Sequence, residues 1–213
     1  MIPERTVTIP VAPGLTLEAA LALPADATVG AVLCHPHPLY GGDMHNPVVV
    51  RAAEVCAEAG LATLRFNFRG VGASSGVWDE GHGEQDDVRA ALARLGALLV
   101  APARVALVGY SFGAAMAAAV AATGAALGGL ALLAPPLALR GLDGFAPPTA
   151  LAGPLLLLAG SDDEYCPRER LERLGATLPG AEVRVIEGAN HFFFGRLFPL
   201  GDALGTWAAR VPR

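Results

Sequence analysis

Residues 104–122 restrict the fold more tightly than any other part of the chain. Val105-Ala106-Leu107-Val108 is an apolar run of strand length, Gly109-Tyr110-Ser111-Phe112-Gly113 follows it, and an alanine-rich stretch continues to Ala122. Glycines on either side of a serine allow a strand-to-helix turn too tight for residues that carry a Cβ. Such a turn holds the serine in strain, with Oγ raised above the carboxyl edge of a sheet. A helix starting at Phe112 aims its free amide N–H groups, and its dipole, at negative charge developing beside that serine. A Gly-rich βα turn or a phosphate-cradling loop is the competing reading, and the strand before and helix after favour the raised serine.

The remaining chain is built on the same alternation. Thr6 to Pro10 and Leu15 to Leu23, around Pro13-Gly14, have the pattern of an antiparallel hairpin. Gly30 to Cys34 is a short continuous apolar run, as expected of a strand buried on both faces. Further strands are predicted at Leu61–Phe66, Arg104–Val108, Leu130–Ala134, Leu155–Ala159 and Glu182–Ile186. Helices are predicted at Pro47–Ala59, Glu84–Leu99, Phe112–Ala122, Arg168–Thr177 and Leu200–Arg210. This pattern predicts one domain over residues 1–213, a three-layer α/β/α sandwich on a mainly parallel eight-stranded sheet with the hairpin at its antiparallel edge. The uncharged stretch Val105 to Leu139 is broken by five glycines and Pro135-Pro136, which favours a buried strand, helix and strand over a membrane span.

Composition removes several function classes. Every one of the 15 basic residues is Arg, so no lysine is available for a Schiff base or for the phosphate-binding position of a P-loop. Twenty acidic residues leave a net charge of −5 and no basic cluster, which argues against nucleic acid as a partner. Cys34, Cys56 and Cys166 are odd in number and widely spaced, a pattern that fits reduced thiols in a cytoplasmic protein better than a disulfide framework. No export signal or inserted membrane segment is expected.

A serine hydroxyl needs a base to become a nucleophile, and the base needs an orienting carboxylate. Both are available just past predicted strand ends, where a parallel sheet gathers its sites. Gly160-Ser161-Asp162-Asp163-Glu164-Tyr165-Cys166-Pro167 follows one strand, and Glu187-Gly188-Ala189-Asn190-His191-Phe192-Phe193 follows the last. The chain order Ser111, Asp, His191 is that of the α/β-hydrolases.

In these motifs the chain resembles the α/β-hydrolase superfamily, and more narrowly its small bacterial serine hydrolases without a lid. The likeness runs from the His35 region to His191. It implies the α/β-hydrolase fold and a triad of Ser111, Asp163 and His191, because the family's Gly-x-x-Asp with a later Pro fits Gly160, Asp163 and Pro167. Asp162, Glu164 and Asp143 are the remaining acid candidates. The segment Arg65-Phe66-Asn67-Phe68-Arg69-Gly70-Val71-Gly72 resembles the family loop in which a buried Arg supports the first oxyanion loop, with Asn67 where Asp is common. That makes Arg69 structural. Asp79, Glu80 and Glu84 cap the helix that follows.

The resemblance also implies an oxyanion hole. Phe112 N–H is its first donor, and the loop Cys34-His35-Pro36-His37-Pro38-Leu39-Tyr40 provides the second. Proline has no N–H, so the second donor falls on His37, Leu39 or Tyr40. His35 and His37 with His82 or Asp43 could instead begin a metal site, but the fold that uses such a pair is a barrel of typically about 250 residues, and histidines that hydrogen-bond backbone to shape the oxyanion loop are the favoured reading. No metal or cofactor is expected, and Cys34, ending an apolar strand, reads as a buried inert thiol. Pro135 to Pro154 is too short for a large lid, so the site should be open, with apolar lining drawn from Leu39, Tyr40, Phe112, Leu137, Phe145, Phe192 and Phe193. Tyr40 and Phe192 are the expected substrate contacts. The expected activity is hydrolysis of short to medium acyl esters or thioesters, with a peptidase or amidase, or a non-catalytic binding protein, as alternatives.

Overall fold

The computed structural model describes residues 2–213. Eight strands form one sheet: β1 (Arg5–Ala12), β2 (Leu15–Ala22), β3 (Val29–Cys34), β4 (Ala62–Phe66), β5 (Arg104–Tyr110), β6 (Gly129–Leu133), β7 (Leu155–Gly160) and β8 (Ala181–Ile186). Their spatial order is β1-β2-β4-β3-β5-β6-β7-β8. The β1–β2 hairpin and the β2–β4 pair are antiparallel, and β4, β3, β5, β6, β7 and β8 run parallel. Every residue of β3, β4, β6 and β7 is buried, while at the edges β1 is largely exposed and β8 mostly half-buried. This is the α/β-hydrolase fold without a lid.

Six helices cover the sheet: α1 (Pro47–Glu58), α2 (Gly83–Gly96), α3 (Phe112–Ala122), the single turn α4 (Leu137–Arg140), α5 (Arg168–Thr177) and α6 (Leu197–Ala208). Side chains of a strand alternate between its faces, and here they feed two cores. Leu107, Leu130, Leu132 and Leu157 pack with α2, α3 and α5, whereas Ala106, Val108, Ala131, Leu156 and Leu158 pack with α1 and α6. The expected boundaries shift at two helices. Helix α6 begins at Leu197 rather than Leu200, because Pro199 lies in its first turn, where no N–H is required of it. Helix α2 ends at Gly96 rather than Leu99.

Helix α3 differs from its neighbours in being apolar all round, with nine of its eleven residues buried. An all-apolar helix needs protein on every side, and α3 has it from β5, β6, β3 and α2. Alanine is what fits at that separation. The uncharged stretch from Val105 is therefore β5, α3 and β6, and among the described residues no helix is long and apolar enough to cross a membrane. Ala117 is fully buried. Replacing it with leucine overpacks α3 against the sheet and should destabilise the fold by about 1–3 kcal/mol, read as a lower urea midpoint with an unchanged m-value.

Candidate active site

Ser111 occupies φ 55°, ψ −114°, a conformation that L-residues avoid, between the end of β5 and the start of α3. Its amide donates to Leu133 O of β6 at 2.8 Å, and its carbonyl accepts from the Ala114 and Ala115 amides. The two glycines of the motif are required by close approach. A Cβ on Gly109 would stand 2.3 Å from Gly113 O, and one on Gly113 would stand 2.4 Å from Cys34 O and 2.7 Å from His35 O. The turn thus closes on itself, and α3 lies directly against the end of β3.

A serine in this position usually caps its helix, but Ser111 makes no side-chain cap bond. Its Oγ instead lies 2.9 Å from His191 Nε2. His191 Nδ1 is 2.9 Å from both oxygens of Asp163. An ionised carboxylate only accepts, so Nδ1 carries the proton and Nε2 presents its lone pair to the Ser111 hydroxyl. Asp163 Oδ1 also accepts the Tyr165 and Cys166 amides, each at 2.9 Å, and the Asp163 side chain is fully buried. The acid and histidine loops touch at Gly160, where a Cβ would stand 2.0 Å from Ala189 O. Of the other acid candidates, Asp162 is exposed and accepts from Ser161 Oγ, and Asp143 and Glu164 are also exposed.

The loop after β3 lies beside the elbow because Cys34 pairs with Gly109 in the sheet. Leu39 N–H donates to His37 Nδ1 and Tyr40 N–H to His37 O, whereas His37 N–H has no hydrogen-bond partner among the described residues. The first amides of α3, at Phe112 and Gly113, are also without partners there. The His37 and Phe112 rings lie 5.1 Å apart, with Trp78 against both. Burial holds the His37 imidazole below its ordinary range, and the positive charge of Arg140 adds to the effect. Arg140 lies over the Phe112 ring, 5.8 Å from its centroid.

Of the groups that hold this loop, the sequence pointed only to the histidines. His35 is fully buried, its Nδ1 donating to Pro36 O at 2.6 Å and its Nε2 accepting from Phe68 N–H at 3.0 Å. Both ring nitrogens are engaged by backbone, which leaves no lone pair for a metal ion. Asn67 Oδ1 accepts from Met44 N–H, and Arg65 Nη1 donates to Met44 O. Arg69, expected to support the loop, instead clamps Asp87 of α2 through Nε and Nη2. Tyr110, inside the serine motif, donates its hydroxyl to His191 O at 2.9 Å. Burial and the Asp163 charge push its pKa up, so it stays a donor. Burial likewise raises the Cys34 thiol. No spacing rule in the sequence pointed to the contacts of Asn67, Arg65 and Tyr110, since each joins segments that only the fold makes neighbours.

Leu39, Tyr40, Leu139, Phe192 and Phe194 are exposed large apolar side chains. Four residues expected in the lining are not on that surface, among them Phe112, which is buried beneath Arg140 and His37. Phe193 is fully buried and packs against Tyr110 on the α1/α6 side, because its φ of 54° turns the ring inward between two outward neighbours. Leu137 and Phe145 are buried in the core on the α3 side.

Residues 13–140 match the family model described as X-Pro dipeptidyl-peptidase (S15 family). An α/β serine hydrolase homologue from Coxiella burnetii is 35% identical, with a TM-score of 0.86 and 97% of each chain covered. A serine hydrolase without a lid from Xanthomonas campestris is 32% identical, with a TM-score of 0.84 over 100% of this chain and 99% of that one. An esterase from Pyrococcus furiosus shares the fold at 17% identity, with a TM-score of 0.83 over 99% and 94% of the chains.

Burial lowers His35 from its ordinary value to about 4. The unfolded chain therefore takes up the proton first, so this contribution to stability is complete above about pH 6.5 and is lost as pH falls towards 4. Urea denaturation should show a loss of about 3 kcal/mol over that window from His35. His35→Gln, which cannot be protonated, should be less stable at pH 7 and flatter with pH; equal slopes would exclude His35 as the source.

Proposed function

Since the chain belongs to the α/β serine hydrolases, as one of the small homologues without a lid that contain the S15 family domain, we propose that it cleaves carboxylic esters or thioesters through Ser111, His191 and Asp163. The observation that carries this reading is the unbroken run of hydrogen bonds from Ser111 Oγ through the imidazole to the buried Asp163 carboxylate. Ser111 Oγ attacks the substrate carbonyl carbon as its proton passes to His191 Nε2. Asp163 holds the imidazole tautomer and stabilises the imidazolium. The carbonyl oxygen, now negative, is taken by the Phe112 amide and by His37, whose amide is uncommitted while that of Leu39 is engaged. The tetrahedral species collapses, the leaving alcohol or thiol takes the proton from His191, and water cleaves the acyl-enzyme by the same route.

An open rim bearing Tyr40, 86% exposed, and Phe192, 51% exposed, favours short to medium acyl chains lying across the surface over one enclosed ligand. Three buried, unpaired cysteines and a net charge of −5 fit a cytoplasmic protein acting on small molecules rather than nucleic acid. The second reading, a peptidase, is favoured by the description of the family model that covers the elbow. A peptidase that recognises an amine terminus needs an acidic group at the mouth, and the charged side chain packed on the elbow is the cation Arg140.

Intact-protein mass spectrometry after exposure to a fluorophosphonate probe should find one adduct, on Ser111, absent in Ser111→Ala. No adduct on folded protein sinks the serine-hydrolase mechanism. Asp163→Asn should keep the fold and lower kcat on p-nitrophenyl butyrate by roughly 10³- to 10⁴-fold, by stabilising the wrong imidazole tautomer. Faster release of p-nitroaniline from Ala-Pro-p-nitroanilide than of p-nitrophenol from the butyrate ester would decide for the peptidase.

A further inference from the structure

Arg140 has no part in the chemistry just described, yet it stands at the elbow. It ends α4, in the short segment between β6 and β7, and is exposed. Its guanidinium packs on the ring of Phe112, the residue after Ser111, at 5.8 Å from the centroid, and its charge reaches His37 on the other oxyanion strand end. A cation–π contact of this kind holds the head group in place and leaves N–H donors at its edge available. Among the described residues no carboxylate lies within 4 Å of it and its nitrogens have no hydrogen-bond partner. Some arginines of the chain are engaged, Arg65 with Glu4, Arg69 with Asp87, Arg168 with Glu172 and Arg210 with Glu182, whereas Arg5, Arg94, Arg104, Arg173 and Arg196 lack a carboxylate partner among the described residues as Arg140 does; what sets Arg140 apart is its place on the Phe112 ring.

Two acids of the adjoining loop, Glu84 and Asp79, are already committed. Glu84 accepts from the amides of Asp79 and Gly81, and Asp79 accepts from Gly83 N–H and faces Arg69 at 4.0 Å. Gly81 of that loop comes close to Arg140, since a Cβ there would stand 3.6 Å from Nη2. A planar guanidinium fork with free donors matches a carboxylate in two-point geometry. One cation beside an acidic loop, which Gly81 brings close to it, suits a single negative charge and opposes a second.

We propose that Arg140 binds a carboxylate carried by the substrate, so that this site selects monoanionic esters, with the charge on either the acyl or the alcohol part. The inference rests on the ester-cleaving reading of Ser111 and names the substrate class for it.

Two substrate pairs test it in wild type, Arg140→Gln and Arg140→Lys. p-Nitrophenyl hemisuccinate against p-nitrophenyl butyrate places the charge in the acyl part, and 4-acetoxybenzoate against phenyl acetate places it in the alcohol part. The quantity read is the ratio of kcat/KM for the anionic member over the neutral one. In one of the pairs the ratio should fall about tenfold in Arg140→Gln, chiefly through KM. Arg140→Lys, which keeps the charge but not the fork, should retain only part of it, and the wild-type ratio should drop as salt is raised. If Arg140→Gln leaves both ratios unchanged, Arg140 only packs on Phe112 and the proposal is overturned while ester cleavage stands. If no ester is turned over and Ser111 takes no fluorophosphonate adduct, the ester reading fails and the proposal fails with it.

Discussion

Helix α3 enters the sheet so close to the end of β3 that one methyl group on Gly113 would stand 2.4 Å from the Cys34 carbonyl oxygen. That approach brings the free amides of α3 beside the loop carrying His37 and leaves Ser111 no conformation but the strained one at φ 55°. Strain of this order, about 1–3 kcal/mol, persists only where surrounding structure over-determines it. Here the Ser111 amide is tied to β6 and its carbonyl to the first turn of α3. The alanines of α3 follow from the same constraint, since larger side chains would push the helix off the sheet.

The other loops are arranged around this rigid point, and each is held by its own buried polar group. Asp163 is fastened by two backbone amides before it meets His191, His191 by the Tyr110 hydroxyl on its carbonyl, and the loop after β3 by His35, Asn67 and Arg65. A buried polar group without a partner is costly, so each of these contacts disfavours other loop positions as well as stabilising the observed one. The arrangement of Ser111, His191 and Asp163 is therefore fixed by the fold itself.

No comparable structure covers the site. The segment between β6 and β7 contributes only the turn α4, and the rim is left with exposed Leu39, Tyr40, Leu139 and Phe192. Discrimination between substrates then depends on a few fixed groups at the mouth, and α4 supplies one of them in Arg140, where a larger insertion would have supplied walls.

Much of this was legible in the chain. Continuous apolar runs gave away strands buried on both faces, and the Gly-x-Ser-x-Gly turn could be read because only glycine permits so close an approach of two backbones. Ser111, His191 and Asp163 stood out because reactive groups gather past strand ends, and the structure brings these three together. Phe193 was misread because a positive φ reverses the direction in which a side chain points, and composition does not announce that. Arg69 was misread because its motif implies a buried partner without saying which; Asp87 of α2 outcompeted the loop after β3. That the Leu39 amide is bonded and the His37 amide is not is visible only in the tertiary structure, as is the unpaired state of Arg140. The sequence by itself determined the strand and helix pattern and the reactive residue types, because these depend on local sterics and periodicity. Which polar groups find partners was decided only when the sheet order made distant segments neighbours.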